Sequence, residues 1–92
     1  MAKSIMQSER VCFKTGSMLN LHRHHVFGGA NRKKSEKYGL WVWLRADWHI
    51  QTPYAIHNNR EFDLELKRFA QEKFEETHTR DEFMKLFKRS YL

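Results

Sequence analysis

Six histidines occur in this 92-residue chain, and four of them are spaced so that they could act together: the adjacent pair His24-His25, then His49, then His57. A divalent ion needs two or more imidazole or carboxylate ligands converging on one point. A histidine on a strand, followed beyond a hairpin by histidines on helical segments, can supply that convergence. Neighbouring residues of an extended strand point to opposite faces. One member of the pair could therefore bind metal while the other reaches a substrate from another side. A histidine pair alone is equally at home on a wet surface or hydrogen-bonded in a core. The context strengthens the chemical reading: Gly28-Gly29, a basic stretch, an aromatic strand and a further histidine one hairpin later. His22 and His78 lack that context and read as ordinary histidines, and Cys12 reads as a small buried or half-buried side chain.

The elements that must position these residues can be placed in outline. Residues 1–10 are polar and are expected to fray. A short strand is possible over residues 11–13, ending at Thr15-Gly16-Ser17. Residues 19–27 alternate as a strand should, with Leu21, Arg23 and His25 on one face and His22 and His24 on the other. Gly28-Gly29 ends it, and the segment to Lys37 reads as a basic loop. Leu40-Trp41-Val42-Trp43-Leu44 is the strongest strand signal and would pair back as an antiparallel hairpin. Asp47 opens a short helix to Gln51, and Pro53 ends that element or marks a turn. A long helix spans about residues 60–77, capped by Asn58 or Asn59, with Phe62, Leu66, Phe69, Ala70 and Phe74 as its apolar stripe. Thr79-Arg80-Asp81-Glu82 is a capping box opening a last helix that buries Phe83, Met84 and Phe87. These aromatic stripes are core and have no cofactor role.

Composition bounds the rest. No repeat, low-complexity tract or linker divides the chain, so residues 1–92 are expected to form one domain. A single cysteine excludes an internal disulfide and a Cys-rich zinc site. Three Trp, three Tyr and seven Phe point to a small, aromatic core. No apolar run matches a membrane span and no signal-peptide pattern follows the start, so a soluble protein without a membrane partner is expected. Seventeen Lys and Arg against eleven Asp and Glu leave a formal charge of +6. That balance suits a polyanionic partner and equally a merely soluble surface. Its distribution is more informative, because Arg23, Arg32, Lys33, Lys34 and Lys37 crowd around the histidines while the carboxylates fall mostly in the C-terminal third.

The stretch Leu21-His22-Arg23-His24-His25-Val26-Phe27-Gly28-Gly29-Ala30-Asn31-Arg32 resembles the core of phage HNH-type (His-metal finger) endonucleases, and is similar to the recombination-enhancement nucleases among them. The likeness continues through Ser35-Glu36-Lys37-Tyr38-Gly39-Leu40, Trp48-His49 and Ile56-His57-Asn58, and into Leu64-Glu65-Leu66-Lys67-Arg68 and Ala70-Gln71-Glu72-Lys73-Phe74. It covers most of the chain from Cys12 onward, with His-His-x-Phe-Gly-Gly as its specific part. The resemblance implies an α+β, ββα-metal fold: a hairpin and helix around one divalent ion, with further helices toward the C-terminus. It implies His24 as a metal ligand, His25 as general base, His49 as the second ligand and His57 as the third. Asn31 would orient the base or the loop. The implied partner is DNA, with Arg23, Arg32, Lys33, Lys34 and Lys37 on flanking phosphates, contacts that carry no sequence information by themselves. The ion could be Mg²⁺, Mn²⁺, Ni²⁺ or Zn²⁺.

Departures from the pattern narrow the expectation. Relatives of this type carry Cys-x-x-Cys before the histidines and another such ligand after the aromatic strand, together binding a structural zinc. Here Thr15 stands three positions after Cys12, in place of a second Cys, and Arg45 stands in the later region, so no such zinc is expected. The family's asparagine is not found after His49, where Ile50 stands, nor before the aromatic strand, where Gly39 stands. The leading expectation is a metal-dependent endonuclease in the cytoplasm, the host's if the chain is phage-encoded. The alternatives are an HNH-fold module without catalysis that binds nucleic acid or a host protein, and a purely structural metal-binding domain. An open hairpin edge would also permit a homodimer.

Overall fold

The computed structural model of the chain describes residues 2–92. Its organising feature is an antiparallel pair, β1 (Leu21–His25) and β2 (Trp41–Arg45). The register sets Leu21 against Arg45, His22 against Leu44, Arg23 against Trp43, His24 against Val42 and His25 against Trp41. Period two then sorts the side chains. His22, His24, Val42 and Leu44 share the inner face, and Leu21, Arg23, His25, Trp41, Trp43 and Arg45 share the outer one. β-branched and aromatic residues suit such a pleated, half-buried surface.

The strands are shorter than the sequence pattern suggests at one end. Asn20 adopts a left-handed backbone (φ 53°) and Leu19 is exposed, so the strand begins only at Leu21. The strand possible over residues 11–13 does not form; the segment is a turn, pinned by Phe13 N–H donating to the Trp43 carbonyl. The connection from β1 to β2 also differs from the expected loop. Gly29 (φ 58°) starts a 3-10 turn, Gly29–Asn31, that runs directly into α1 (Arg32–Lys37). Only Ser35 of α1 is buried, which is why no apolar period announces this helix. Its hydroxyl donates to the Leu40 carbonyl and accepts from Phe27 N–H, closing the turn.

Beyond β2, the single wide helical turn Asp47–Gln51 and the 3-10 turn Ile56–Asn58 lead into α2 (Arg60–Phe74). Asn59 caps α2 by accepting from Phe62 N–H at 3.1 Å. Phe62, Leu66, Ala70 and Phe74 form its buried stripe at four-residue spacing, with Gln71 buried beside them. The capping box forms as read, and α3 (Arg80–Phe87) follows it. Phe83 and Phe87 are buried, whereas Met84 is 43 % exposed and does not belong to the core. Phe27, Phe74, Phe83, Phe87 and Tyr91 pack ring on ring at centroid separations of 4.4–6.4 Å. Each fully buried Phe contributes about 1.5–3 kcal/mol. Gln71 is fully satisfied: its carbonyl accepts from Tyr91 N–H, and its amide donates to Glu75 and Ser90.

The N-terminal segment runs along the outer edge of β2. Ile5 N–H donates to the Gly39 carbonyl, the Gln7 carbonyl oxygen accepts from Trp43 N–H, and the Ser4 hydroxyl donates to the Trp41 carbonyl. Met6 is buried in the core. Gly39 makes this approach possible, because its φ is 71° and a Cβ there would meet the Lys3 carbonyl. The chain is thus an α+β unit, a two-stranded hairpin followed by helices, and among the described residues no helix is long and apolar enough to cross a membrane.

Candidate metal centre

Three short segments deliver three imidazoles to one place. His24 projects from the inner face of β1, His49 from the turn Asp47–Gln51, and His57 from the turn Ile56–Asn58. One ring nitrogen from each lies within 4.8 Å of the others. Ring centroids stand 5.3 Å apart for His24–His49, 5.3 Å for His24–His57 and 4.8 Å for His49–His57.

Local chemistry explains why the two turns sit there. Arg45 grips Asp47 with two hydrogen bonds (2.6 and 3.0 Å), and Tyr54 donates to the same carboxylate. That guanidinium holds the Asp47 carboxyl down at about 2. The Thr52 hydroxyl donates to the Asp47 carbonyl, and the Asn58 amide donates to the Thr52 carbonyl. Trp48 packs against Tyr54 and Phe62, tying the first turn to the core, while buried Ala55 and Ile56 anchor the second.

The cluster grades from buried to open: His24 is 5 % exposed, His49 is half-buried and His57 is exposed. Burial pushes the His24 imidazole down to about 3, helped by the neighbouring His49 and His57 charges. Burial likewise lowers His49 to about 4, with His57 and His22 adding to it. Both rings are neutral near pH 7, so their lone pairs are available to a cation. His24 Nε2 is buried without a hydrogen-bond partner. Leaving such an atom unpaired costs about 1–3 kcal/mol, and a buried orphan of this kind calls for a physical explanation. His49 Nε2 and His57 Nε2 are 3.2 Å apart. Two nitrogens bonded to one ion at about 2.0–2.1 Å in tetrahedral geometry would stand roughly 3.3 Å apart. The donor set fits a divalent ion with one side open.

His25 lies elsewhere. Its ring leaves β1 on the outer face, where Nε2 is 3.0 Å from Glu36 Oε1 and Nδ1 is 3.4 Å from Arg32 Nε. A carboxylate only accepts and a guanidinium only donates. Neutral His25 is therefore protonated on Nε2, with its lone pair on Nδ1 facing Arg32. Glu36 is held below the usual carboxylate range by its hydrogen bond to His25, with Arg23 adding to it. A cavity of about 320 Å³ opens beside His25, lined by Arg32, Lys33 and Glu36.

The five cations read as phosphate contacts are dispersed in their bonding. Arg32 and Lys33 are exposed beside His25. Arg23 pairs with Glu36 at 3.0 Å and lies 4.0 Å from the centre of the Trp41 ring. Lys34 donates to the Leu86 carbonyl at 2.7 Å, fastening α1 to the C-terminal helix. Lys37 is exposed and lies over Tyr38. Asn31 precedes α1 without a side-chain capping bond.

Sequence reasoning missed two residues near these sites. His22, read as ordinary, has its Nδ1 2.9 Å from His49 Nδ1. The alternation that puts His22 on the face of His24 was the available signal. Glu36 sits eleven positions from His25, and only the fold of α1 brings the two together. Cys12 is buried, the first of the two placements its size and type suggest. Burial pushes its thiol up, but hydrogen bonds from the Thr15 hydroxyl and from the Arg45, Thr15 and Lys14 backbone outweigh this and leave it lowered.

Comparison with known protein families, curated proteins and solved structures finds no match in any of the three. The architecture itself matches the ββα-metal, HNH-type arrangement: an antiparallel hairpin, following helices and a histidine cluster between them.

Proposed function

We propose that this chain is a metal-dependent endonuclease of the HNH type that hydrolyses DNA phosphodiester bonds. The observation that carries the reading is the convergence of His24, His49 and His57 with a buried, unpartnered nitrogen among them. These three residues would hold one divalent ion. An all-imidazole set ranks Ni²⁺ and Zn²⁺ above Mn²⁺, and Mg²⁺ last, because Mg²⁺ prefers oxygen ligands. When bound, the ion would supply positive charge to offset the negative charge developing on the phosphoryl and leaving oxygens.

The chain's own residues do the rest. His25 takes a proton from the attacking water at Nδ1, while Glu36 keeps Nε2–H in place and supports the charge that forms on the ring. Arg32, displaced from Nδ1 by a phosphate it prefers, uncovers the base as substrate arrives. Lys33 and Lys37 hold flanking phosphates. His24 and His25 emerge from opposite faces at the end of β1, so the scissile phosphate would lie across that strand end.

That division of faces also favours a second reading. Both nitrogens of His25 are engaged, and away from the histidine cluster. A metal-stabilised module that binds nucleic acid or a protein without cutting it would look the same. Plasmid cleavage by purified protein with Mg²⁺, Mn²⁺, Ni²⁺ and Zn²⁺ in parallel separates the two. Metal-dependent nicking that His25→Ala abolishes, with DNA affinity retained, is the expected result. DNA binding without cleavage by any ion would replace the first reading with the second.

A further inference from the structure

We infer that His22 is a positioning residue for the metal centre: its Nδ1 accepts the Nδ1 proton of His49 and so reserves His49 Nε2 for the ion. The inference rests on the metal-binding part of the proposed function and concerns a residue outside the three-histidine cluster. The two Nδ1 atoms are 2.9 Å apart, and the rings meet edge to face at 86°. Two imidazole nitrogens at that distance share one proton, so one donates and the other accepts. On its far side, His49 Nε2 is 3.2 Å from His57 Nε2.

The three rings therefore form a chain His22–His49–His57, and in the neutral state its hydrogen bonds can run in either direction. One direction places the His49 proton on Nε2, pointing into the cluster, where it blocks ligation. The other places it on Nδ1, donated to His22, and leaves Nε2 as a lone pair. Only the second is compatible with His49 as a ligand through Nε2. A ligating histidine is ordinarily fixed in this way, by a hydrogen bond from its other nitrogen. The placement follows from the strand: His22 precedes His24 by two residues, so one face of β1 delivers both a ligand and the group that orients the second ligand.

The test compares Zn²⁺ affinity, measured by competition with a chromophoric chelator, for the wild type, His22→Phe and His22→Asn. Phe keeps a ring against His49 and removes the acceptor. Asn restores an acceptor oxygen. The expected result is a 10–100-fold weaker Kd for Phe, largely recovered by Asn. Imidazole ¹⁵N spectra of the Zn²⁺-loaded wild type should show His49 protonated on Nδ1 and ligated through Nε2, a signature that does not depend on either variant folding. Wild-type affinity in His22→Phe, equal losses in both variants, or ligation through His49 Nδ1 would overturn the assignment. A wild-type chain that takes up no Zn²⁺ overturns the metal reading with it, whereas tight binding indifferent to His22 overturns this inference alone.

Discussion

Acid should destabilise the metal-free protein well before its carboxylates titrate, and His24 should be the main cause. The folded imidazole titrates at about 3, held down first by burial, against 6.5 for the unfolded chain. Between those values the unfolded chain binds a proton that the folded chain refuses, so stability is full above about pH 6.5 and falls as pH falls. From pH 7 to pH 5, one such group removes about 2 kcal/mol. That is a large part of a typical 5–15 kcal/mol total. His49, lowered to about 4 by burial and then by His57 and His22, acts in the same direction. It is more exposed, so solvent screening reduces its share. The Asp47 carboxyl, held near 2 by Arg45, stays ionised across this window. Urea unfolding in EDTA, followed by tryptophan fluorescence at pH 7, 6 and 5, reads the loss. His24→Gln should flatten most of the slope whatever it does to stability at pH 7. A wild type equally stable at pH 7 and 5, or a Gln variant with an unchanged slope, would refute the reasoning.

Two other perturbations test the packing. Phe83→Ala should cost about 3–5 kcal/mol, because the ring is fully buried among Phe27, Phe74 and Phe87. Met84→Ala, one position on but exposed, should stay within about 0.5 kcal/mol, and similar urea midpoints for the two would place α3 wrongly. Gly39→Ala should cost more than about 1 kcal/mol, since it forces a left-handed backbone on alanine and drives a methyl into the Lys3 carbonyl. It should also speed tryptic cleavage after Lys3, and an unchanged rate would mean that residues 3–5 do not lean on Gly39.

What could be read from the chain follows where physical periodicity is strong. The hairpin faces, the Phe62–Leu66–Ala70–Phe74 stripe and the Thr79 capping box each have a local pattern, and each is present. Spacing singles out His24, His25, His49 and His57, the resemblance implies all but His25 as ligands, and the fold brings the ring nitrogens of those three together. Helix α1 escaped because five of its six residues are not buried, leaving no apolar stripe to betray it. With α1 unread, Glu36 could not be matched to His25, nor Lys34 to the Leu86 carbonyl. The N-terminal segment is held to β2 and to Gly39 before it by single hydrogen bonds, donated by Ser4 and Ile5 and accepted by Gln7, which carry no period at all. Helical spacing places Met84 in the core, but α3 is short and buries Phe83 and Phe87, with Leu86 packed at the margin and Met84 exposed.

The central claim, that three histidines from three segments hold one divalent ion, is tested most directly by titrating Co²⁺ into EDTA-stripped protein and recording its visible absorption. The account predicts a saturable spectrum of nitrogen-ligated Co²⁺ at about one equivalent per chain, lost in His49→Ala and His57→Ala while both variants stay folded. No spectral change in the wild type, or the same spectrum in either variant, would contradict it.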